Sequence, residues 1–224
     1  MTSRTRGGRE TGERLTAFYD ALFESFGPQG WWPGRTRFEV IVGAILTQNT
    51  SWSNVERAIG NLRAGRLLNP EKLHALDLKE LSGLIRPAGY FNVKAGRLKN
   101  FLDFLFSKYG GSISRLFNKK GEGTRGELLA VVGIGPETAD SILLYAGGRP
   151  EFVVDAYTRR VFSRHGLVGP VASYDEVKSL FMENLEPDAK VFNEYHALIV
   201  RVGKHYCKPR EPMCSRCPLE EFLS

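Results

Sequence analysis

Apolar residues recur at intervals of three and four along most of the chain, and this spacing predicts α-helices. The segment at residues 38–46 is apolar on almost every side, which is typical of a buried central helix. Only residues 152–155, FVVD, have the character of a strand, and that segment is short. The other helical stripes lie at residues 15–26, 55–62, 81–85, 98–105, 177–181 and 192–202. We therefore expect an all-α protein.

Two sequence signals mark helix starts within this pattern. Thr124 with Glu127 and Ser173 with Glu176 each form a capping-box signature before an apolar run. The first of them opens a predicted helix, tight turn and second helix over residues 124–147.

The order of the predicted helices suggests two domains, although no long linker separates them. The N-terminal helix can pack with the C-terminal helices, which leaves the middle of the chain as its own bundle. We expect residues 31–148 to form a six-helix bundle that contains the hairpin at 124–147. Residues 1–30 with 149–224 then form a second helical domain.

The charge balance favours a polyanionic partner. The formal net charge is +6 and the sequence pI is about 9.3, and Lys and Arg gain affinity by displacing counterions from phosphates. Many soluble proteins are mildly basic, so charge alone is weak support. No apolar run can span a bilayer, and the polar N-terminus lacks the apolar core of a secretory signal. We expect a cytoplasmic, nucleoid-associated protein without a membrane partner.

The hairpin sequence GIGPETAD has the features of a phosphate-binding turn. Gly133 and Gly135 supply positive φ or close backbone approach, and Pro136 suits the first turn of the next helix. The free N–H groups of that helix terminus, with the helix dipole, favour a phosphate. A plain helix–turn–helix corner, with glycines for steric reasons alone, is the alternative.

Several ordered motifs carry a more specific resemblance. VVGIG is followed by VVDAYTRR, ILTQNT lies at residues 45–50, GYFNVKAGRL lies at 89–98, and cysteines end the chain. Over nearly its whole length the chain resembles the helix–hairpin–helix DNA glycosylases of the endonuclease III superfamily. The resemblance implies a two-domain fold with a DNA-binding cleft between the domains. It also implies a monomer that acts on double-stranded DNA containing damaged bases.

The same resemblance implies that Asp155 is the catalytic carboxylate and faces the sugar of the target nucleotide. The chemistry agrees, because cleavage of an N-glycosidic bond passes through an oxocarbenium-like sugar. A fixed carboxylate stabilises that charge and orients a water for attack. Asp155 could instead be the N-cap of the following helix, or serve in both roles.

Glu137 determines which reaction the hairpin permits. In bifunctional members of the family, a lysine two residues after the second hairpin glycine attacks the sugar and forms a Schiff base. A carboxylate cannot form an imine, so Glu137 excludes a lyase step from this position and favours a water-using enzyme. We place Glu137 among the base-pocket residues. The alternative is that it only favours the helix N-terminus electrostatically.

An upstream tryptophan segment suggests the substrate. WWP, with ILTQNTSW, resembles the 3-methyladenine glycosylases of this superfamily known from epsilon-proteobacteria. The resemblance implies that Trp31, Trp32 and Pro33 shape the pocket, that Trp52 stacks on the extruded base, and that Lys204 is the pocket lysine. A methylated purine is cationic, and Trp faces attract cations. Core packing is the alternative for the tryptophans, and solvation is the alternative for Lys204.

Two further positions align with residues that act on the DNA itself. Gln48 corresponds to the family residue that fills the gap left by the flipped base, and Tyr90 to the one that wedges the opposite strand. With Gly133 and Gly135 they form the candidate DNA-binding set. Gln48 could equally satisfy buried backbone groups, and Tyr90 could be an ordinary surface aromatic.

The cysteine tail departs from the family pattern. Cys207, Cys214 and Cys217 keep the family spacing for a [4Fe–4S] cluster, but Leu223 stands at the fourth cysteine position. A cluster normally takes four thiolates. A cluster with a non-cysteine ligand, a labile cluster, no cluster, or zinc with His205 as the fourth ligand remain as alternatives. The retained spacing favours the Fe–S cluster.

These observations favour a monofunctional DNA glycosylase that excises alkylated purines, chiefly 3-methyladenine, by an Asp-assisted water. The alternative substrate on the same scaffold is an oxidised pyrimidine or another lesion. A non-catalytic helix–hairpin–helix DNA-binding module is the alternative of another class. Asp155 argues against that module, because phosphate binding alone does not need it.

Overall fold

The computed structural model describes residues 6–31, 34–118 and 123–223, and every regular element in those ranges is helical. This confirms the all-α prediction; residues 152–155, the one candidate strand, are irregular and their three apolar side chains are buried. None of the described helices has both the length and the apolar character that crossing a membrane requires. In chain order the α-helices are α1 (Arg6–Phe26), α2 (Arg37–Leu46), α3 (Trp52–Ala64), α4 (Pro70–Ala75), α5 (Leu78–Leu84), α6 (Phe91–Tyr109), α7 (Ile113–Asn118), α8 (Gly123–Leu129), α9 (Pro136–Ser141), α10 (Ala156–Arg164), α11 (Tyr174–Asn184) and α12 (Ala189–His205).

The chain divides into two units, which we call the central unit (Trp32–Gly147) and the terminal unit (Met1–Trp31 with Gly148–Ser224). The described part of the central unit holds α2 to α9, more helical segments than the six expected from the sequence. Side-chain caps explain the extra segments. Asn69 accepts from the N–H of Lys72 at 3.1 Å and begins α4, and Asp77 accepts from the N–H of Glu80 at 2.7 Å and begins α5.

Helix α2 forms the centre of the central unit. All its residues from Phe38 to Leu46 are buried, which confirms the predicted central helix. Its neighbours bring apolar residues to it on every side, among them Ile59 of α3, Leu98 of α6 and Ile142, the first residue of a π-helical turn that continues α9 to Ala146. Burial of such side chains supplies about 1.5–3 kcal/mol each, so the central unit has its own core.

The helix–turn–helix that was predicted at 124–147 is present, but its first boundary differs from the expectation. Thr124 lies inside α8 and its hydroxyl is buried, while Glu127 accepts a hydrogen bond from Tyr109 and pairs with Lys108 at 3.2 Å. The capping box predicted there is therefore wrong, because Thr124 lies within the helix and is not its N-cap.

The second boundary agrees with the sequence. Pro136 is the first residue of α9, where its missing N–H costs nothing. Gly147 caps the end of the π-helical turn, and a Cβ there would lie 2.6 Å from the carbonyl oxygen of Leu143. Only glycine fits that close approach.

The terminal unit packs α1, α10, α11 and α12 around an aromatic core. Phe152 stacks on Phe181 with ring centroids 3.6 Å apart, and Tyr195 of α12 lies edge-on to both. The capping box predicted at Ser173 with Glu176 is confirmed at the start of α11. Helices α10 and α12 approach closely at Gly203, where a Cβ would lie 2.6 Å from the Tyr157 ring.

Candidate active site

The hairpin turn is held in place by side chains from elsewhere in the central unit. Gln48 donates through Nε2 to the carbonyl oxygen of Gly133 at 3.1 Å and to the hydroxyl of Thr138 at 2.8 Å. Arg97 donates in turn to Oε1 of Gln48, and Asn100 donates to the carbonyl oxygen of Val132 at 2.9 Å. Gln48 therefore satisfies backbone and side-chain groups of the hairpin. This agrees with the alternative given for Gln48 from the sequence, that it satisfies buried backbone groups.

The two hairpin glycines differ in backbone conformation and in the space available for a side chain. Gly133 has φ of +95°, and the stem of Arg97 occupies the space where a Cβ would lie, with its Cδ at 2.9 Å. Gly135 has φ of −90° and caps α9, and a Cβ there would meet nothing within 4 Å. Of the two features expected at these glycines, positive φ or close backbone approach, Gly133 has both and Gly135 has a negative φ. At Gly135 the missing side chain leaves the surface open beside the first N–H groups of α9.

A buried ion pair fixes the two hairpin helices to each other. Arg125 of α8 donates through Nε and Nη2 to the two carboxylate oxygens of Asp140 in α9, at 2.7 and 3.2 Å. The side chain of Asp140 is fully buried and that of Arg125 is 26% exposed. Bidentate geometry of this kind is the strongest form of Arg–carboxylate contact. Sequence patterning did not identify Asp140.

Tyr90 stands out on the surface of the central unit. Its backbone is left-handed, with φ of 47° and ψ of 33°, and 73% of the residue is exposed. A bulky residue rarely adopts this conformation without a functional or structural reason. Val93, one turn along α6, and Val132 of the hairpin are also strongly exposed. The exposed position suits the wedge role that the resemblance implied for Tyr90.

Asp155 lies at the start of α10 in the terminal unit and is its N-cap. One carboxylate oxygen, Oδ1, accepts from the N–H of Thr158 at 2.8 Å and from its hydroxyl at 3.0 Å. The other, Oδ2, lies 3.5 Å from Nε2 of His196 in α12. The capping role expected as an alternative is therefore present, and it leaves the second oxygen outside the cap.

The surroundings of Asp155 keep its carboxylate ionised. Burial by itself raises the pKa of this group. Hydrogen bonding and charge from His196, followed by the two hydrogen bonds from Thr158, outweigh burial and lower the pKa below its ordinary value. Asp155 is consequently a charged carboxylate at neutral pH, although only 15% of its side chain is exposed.

Trp31 belongs to the terminal unit and contacts the same histidine. Its ring lies edge-on to that of His196, with centroids 6.2 Å apart. The indole N–H is buried and has no hydrogen-bond partner in the part of the chain that the structure describes, which leaves a donor for an external group. Trp32 and Pro33, the other two residues of the WWP segment, lie outside the described residues.

Trp52 begins α3 in the central unit and packs partly against its core. It also lines a cavity of about 230 Å³ whose polar lining includes Glu39 and Arg63, an ion pair at 2.6 Å. The other lining residues are Gly34, Arg35, Glu56 and Ile59. The cavity wall thus combines an aromatic face with charges of both signs.

The two remaining charged candidates are exposed. Glu137 lies in the first turn of α9, directly after Pro136, where a negative charge complements the helix N-terminus. Lys204 lies in the last turn of α12, on the surface of the terminal unit. No hydrogen bond or ion pair links it to Asp155 within the described ranges.

Lys94 is a buried lysine that sequence reasoning missed. It is 1% exposed, and its ammonium donates to the carbonyl oxygens of Leu46 at 2.9 Å and Ala88 at 2.7 Å. Burial, with the charge of Arg97, lowers the pKa of Lys94. It joins the end of α2 to the turn before α6 and has no access to a substrate. Its place in the apolar stripe with Leu98 was the available signal.

The cysteine tail keeps three of the four cysteine positions of the predicted cluster. Among the described residues, which include Cys207, Cys214 and Cys217, no group of three or more His, Cys, Asp or Glu side chains is placed to hold a metal ion. Leu223, at the fourth cysteine position, is 40% exposed. Burial raises the pKa of the Cys217 thiol, and the neighbouring thiols of Cys207 and Cys214 raise it further. With three cysteines, the tail cannot by itself supply the four thiolates that a [4Fe–4S] cluster normally takes.

Arginines of α10 hold the tail. Arg160 donates to the carbonyl oxygens of Cys207 at 2.6 Å and Gly203 at 2.9 Å. Arg164 donates to the carbonyl oxygens of Lys208 at 2.7 Å and Pro209 at 3.0 Å, and one of its nitrogens lies 3.2 Å from Sγ of Cys207. These contacts give the tail a defined path within the terminal unit.

Comparison with known proteins agrees with this geometry. Residues 42–187 match the family model described as the HhH-GPD superfamily base excision DNA repair protein. The chain is 50% identical over 211 residues to a Methanocaldococcus jannaschii protein called a putative DNA repair glycosylase, covering 94% of this chain and 96% of that protein. It is 30% identical over 193 residues to endonuclease III of Sulfolobus acidocaldarius, covering 84% and 83%.

Solved structures show the same fold. The 3-methyladenine DNA glycosylase MagIII of H. pylori, bound to 1,N6-ethenoadenine, superposes with a TM-score of 0.74 and 28% identity, covering 87% of this chain and 97% of that one. An endonuclease III in a non-covalent DNA complex superposes with a TM-score of 0.80 and 24% identity, covering 95% and 94%.

Proposed function

Since this chain belongs to the HhH-GPD superfamily of base excision DNA repair proteins, we propose that it excises alkylated purines, with 3-methyladenine as its main substrate. The reaction is hydrolysis of the N-glycosidic bond, and the DNA strand stays intact. The partner is double-stranded DNA that contains a damaged base, and the protein acts as a monomer.

Glu137 carries the monofunctional part of the proposal. It occupies the first turn of α9, at the hairpin position where a lyase needs an amine. Lys94, which is also in the central unit, cannot supply that amine because it is buried and its ammonium donates to two carbonyl oxygens. Hydrolysis by water is the chemistry that an acidic side chain at position 137 permits.

Asp155 supplies the hydrolytic chemistry. Its lowered pKa keeps it charged at neutral pH, and a fixed negative charge stabilises an oxocarbenium-like sugar as the base departs. The same carboxylate can accept a proton from the attacking water. Because Thr158 holds Oδ1, we assign these tasks to Oδ2.

The tryptophans support a cationic purine as the substrate. Trp faces attract cations, and base–aromatic stacking offsets the stacking lost when a base is flipped. Trp52 lines a cavity, and Trp31 has a buried indole N–H that can donate to a base. The similarity to the H. pylori 3-methyladenine glycosylase, which covers 97% of that chain, points to the same substrate class. We retain Trp32, Pro33, Glu137 and Lys204 as pocket residues of the proposal.

DNA contact is proposed for the central unit. The open backbone at Gly135 lets a phosphate approach the first N–H groups of α9, and the strongly exposed Tyr90 can enter the stack of the opposite strand. Gln48 lies behind the hairpin and supports Gly133, so its part in DNA binding includes keeping the hairpin in position.

The test is a lesion panel in which released bases and strand breaks are scored separately. Methylated DNA and thymine-glycol DNA are incubated with the protein, with and without borohydride. We expect release of 3-methyladenine, alkali-labile but unbroken sites, and no borohydride-trapped complex, because no amine attacks the sugar. Release of thymine glycol alone would favour the oxidised-pyrimidine alternative. DNA binding without any base release would favour the non-catalytic module.

A second prediction concerns the cysteine tail, whose path depends on Arg160. We expect Arg160→Met to destabilise the protein by about 1–3 kcal/mol, because two carbonyl oxygens lose their donor. That loss corresponds to a fall in Tm of roughly 2–4 °C per kcal/mol for a chain of this size. A Tm for Arg160→Met equal to that of the wild-type protein would contradict this account.

A further inference from the structure

His196 is a buried polar residue that no sequence motif identified. It is 5% exposed and lies on the inward face of α12 beside Tyr195 and Ile199. Its Nε2 is 3.5 Å from Oδ2 of Asp155, which is within ion-pair distance. The imidazole therefore faces the carboxylate oxygen that the N-cap leaves open.

The two oxygens of Asp155 are thus held by different elements. Oδ1 is fixed by Thr158 from within α10, and Oδ2 faces α12. With Oδ1 alone anchored, the carboxylate can still rotate about its bond to Cβ, because the terminal torsion of Asp is soft. A donor at Oδ2 restricts that rotation. Trp31, edge-on to the imidazole ring, limits the orientations of His196 itself.

We propose that His196 is the positioning residue of Asp155: its Nε2–H directs Oδ2 and fixes the plane in which the carboxylate meets the sugar and its water. The proposal rests on the proposed glycosylase function. His196 acts through Asp155 and does not bind the base. The consequence is that its removal slows the chemical step while substrate DNA binds as before.

The kinetic test compares His196→Leu with His196→Gln, whose amide can replace the Nε2–H donor. Tyr195→Phe is the matched control, because Tyr195 is also a buried residue of α12. This substitution removes the hydrogen bond from the tyrosine hydroxyl to the carbonyl oxygen of Leu15 in α1 at 2.8 Å. Single-turnover excision, DNA affinity and Tm are measured for each variant, with whichever lesion the wild-type protein excises. We expect His196→Leu to lose about 10- to 100-fold in rate, a modest share of the 10²–10⁴ typical of an acid–base group.

The outcomes separate positioning from a structural role. His196→Gln should recover most of the rate, DNA affinity should stay within about twofold, and Tyr195→Phe should lower Tm without slowing excision. A rate for His196→Leu within about threefold of wild type would overturn the proposal. So would a glutamine variant as slow as the leucine variant, or a rate loss that follows Tm as it does in the control.

A spectroscopic test does not depend on activity. Imidazole ¹⁵N shifts of His196 are compared between the wild-type protein and Asp155→Asn. We expect the Nε2 signal to change, because its acceptor loses its charge, and an unchanged signal would overturn the proposal. If the wild-type protein excises thymine glycol and not 3-methyladenine, the substrate proposal fails while this one is still tested on the active lesion.

Discussion

Asp155→Asn should reduce single-turnover excision by about 10²–10⁴-fold, the range that a positioned acid–base group contributes. The amide is neutral, so it can neither stabilise the oxocarbenium-like sugar nor accept a proton from water. Asn is as good an N-cap as Asp, and the hydrogen bond from the N–H of Thr158 can persist. Helix α10 should stay intact, and binding of lesion-containing DNA should remain close to that of the wild-type protein.

Rapid-quench release of labelled base and a parallel binding titration measure both quantities. Thr158→Val serves as the comparison, since it removes only the hydroxyl donor to Oδ1 and should slow excision far less. Full activity of Asp155→Asn would refute the assigned role.

The pH dependence of excision follows from the same carboxylate. The pKa of Asp155 is lowered in the folded protein, so the group stays charged through neutral pH and below the ordinary range for Asp. Its contribution to stability is present above the unfolded-state pKa and is lost as pH falls through the lowered folded value. Protonation of Asp155 should therefore limit excision only at pH below that ordinary range.

Asp140→Ala should destabilise the protein by about 3–5 kcal/mol. The substitution removes the buried carboxylate that accepts two hydrogen bonds from the guanidinium of Arg125. The loss should concentrate in the hairpin, where the ion pair that joins α8 to α9 would be absent. Urea unfolding followed by circular dichroism gives the free energy of unfolding, and DNA binding should fall with it.

The matched control is Glu13→Ala, which breaks an exposed pair with Arg9 at 3.1 Å. Exposed pairs contribute about 0–1 kcal/mol, so that variant should unfold near the wild-type midpoint. Similar losses in the two variants would mean that the hairpin does not depend on the buried pair.

The sequence predicted correctly those features that depend on interactions between residues close together in the chain. The apolar run of α2 predicted its complete burial, Pro136 marked the start of α9, and Ser173 with Glu176 marked the start of α11. Each depends on neighbours within a few residues. Thr124 with Glu127 carried the same signature but failed, because α8 already includes Gly123 and Thr124. Glu127 contacts Tyr109 and Lys108 of α6.

The functional and structural residues that were missed are charged or polar side chains on the inward face of a helix. His196 follows the spacing of Phe192 and Ile199, and Lys94 follows that of Leu98, so helical periodicity could have marked both as buried. Their partners could not be predicted in that way. The carboxylate beside His196 and the carbonyls around Lys94 come from distant segments, and only the packed helices bring them together.

The contacts among Gln48, Arg97 and Gly133 have an evolutionary consequence. Any side chain at position 133 would collide with the stem of Arg97, and loss of Arg97 would remove the donor to Oε1 of Gln48. A substitution at one of the three positions therefore changes which residues are favourable at the other two. In an alignment of related chains we expect these columns to covary, although 85 residues separate the first position from the last.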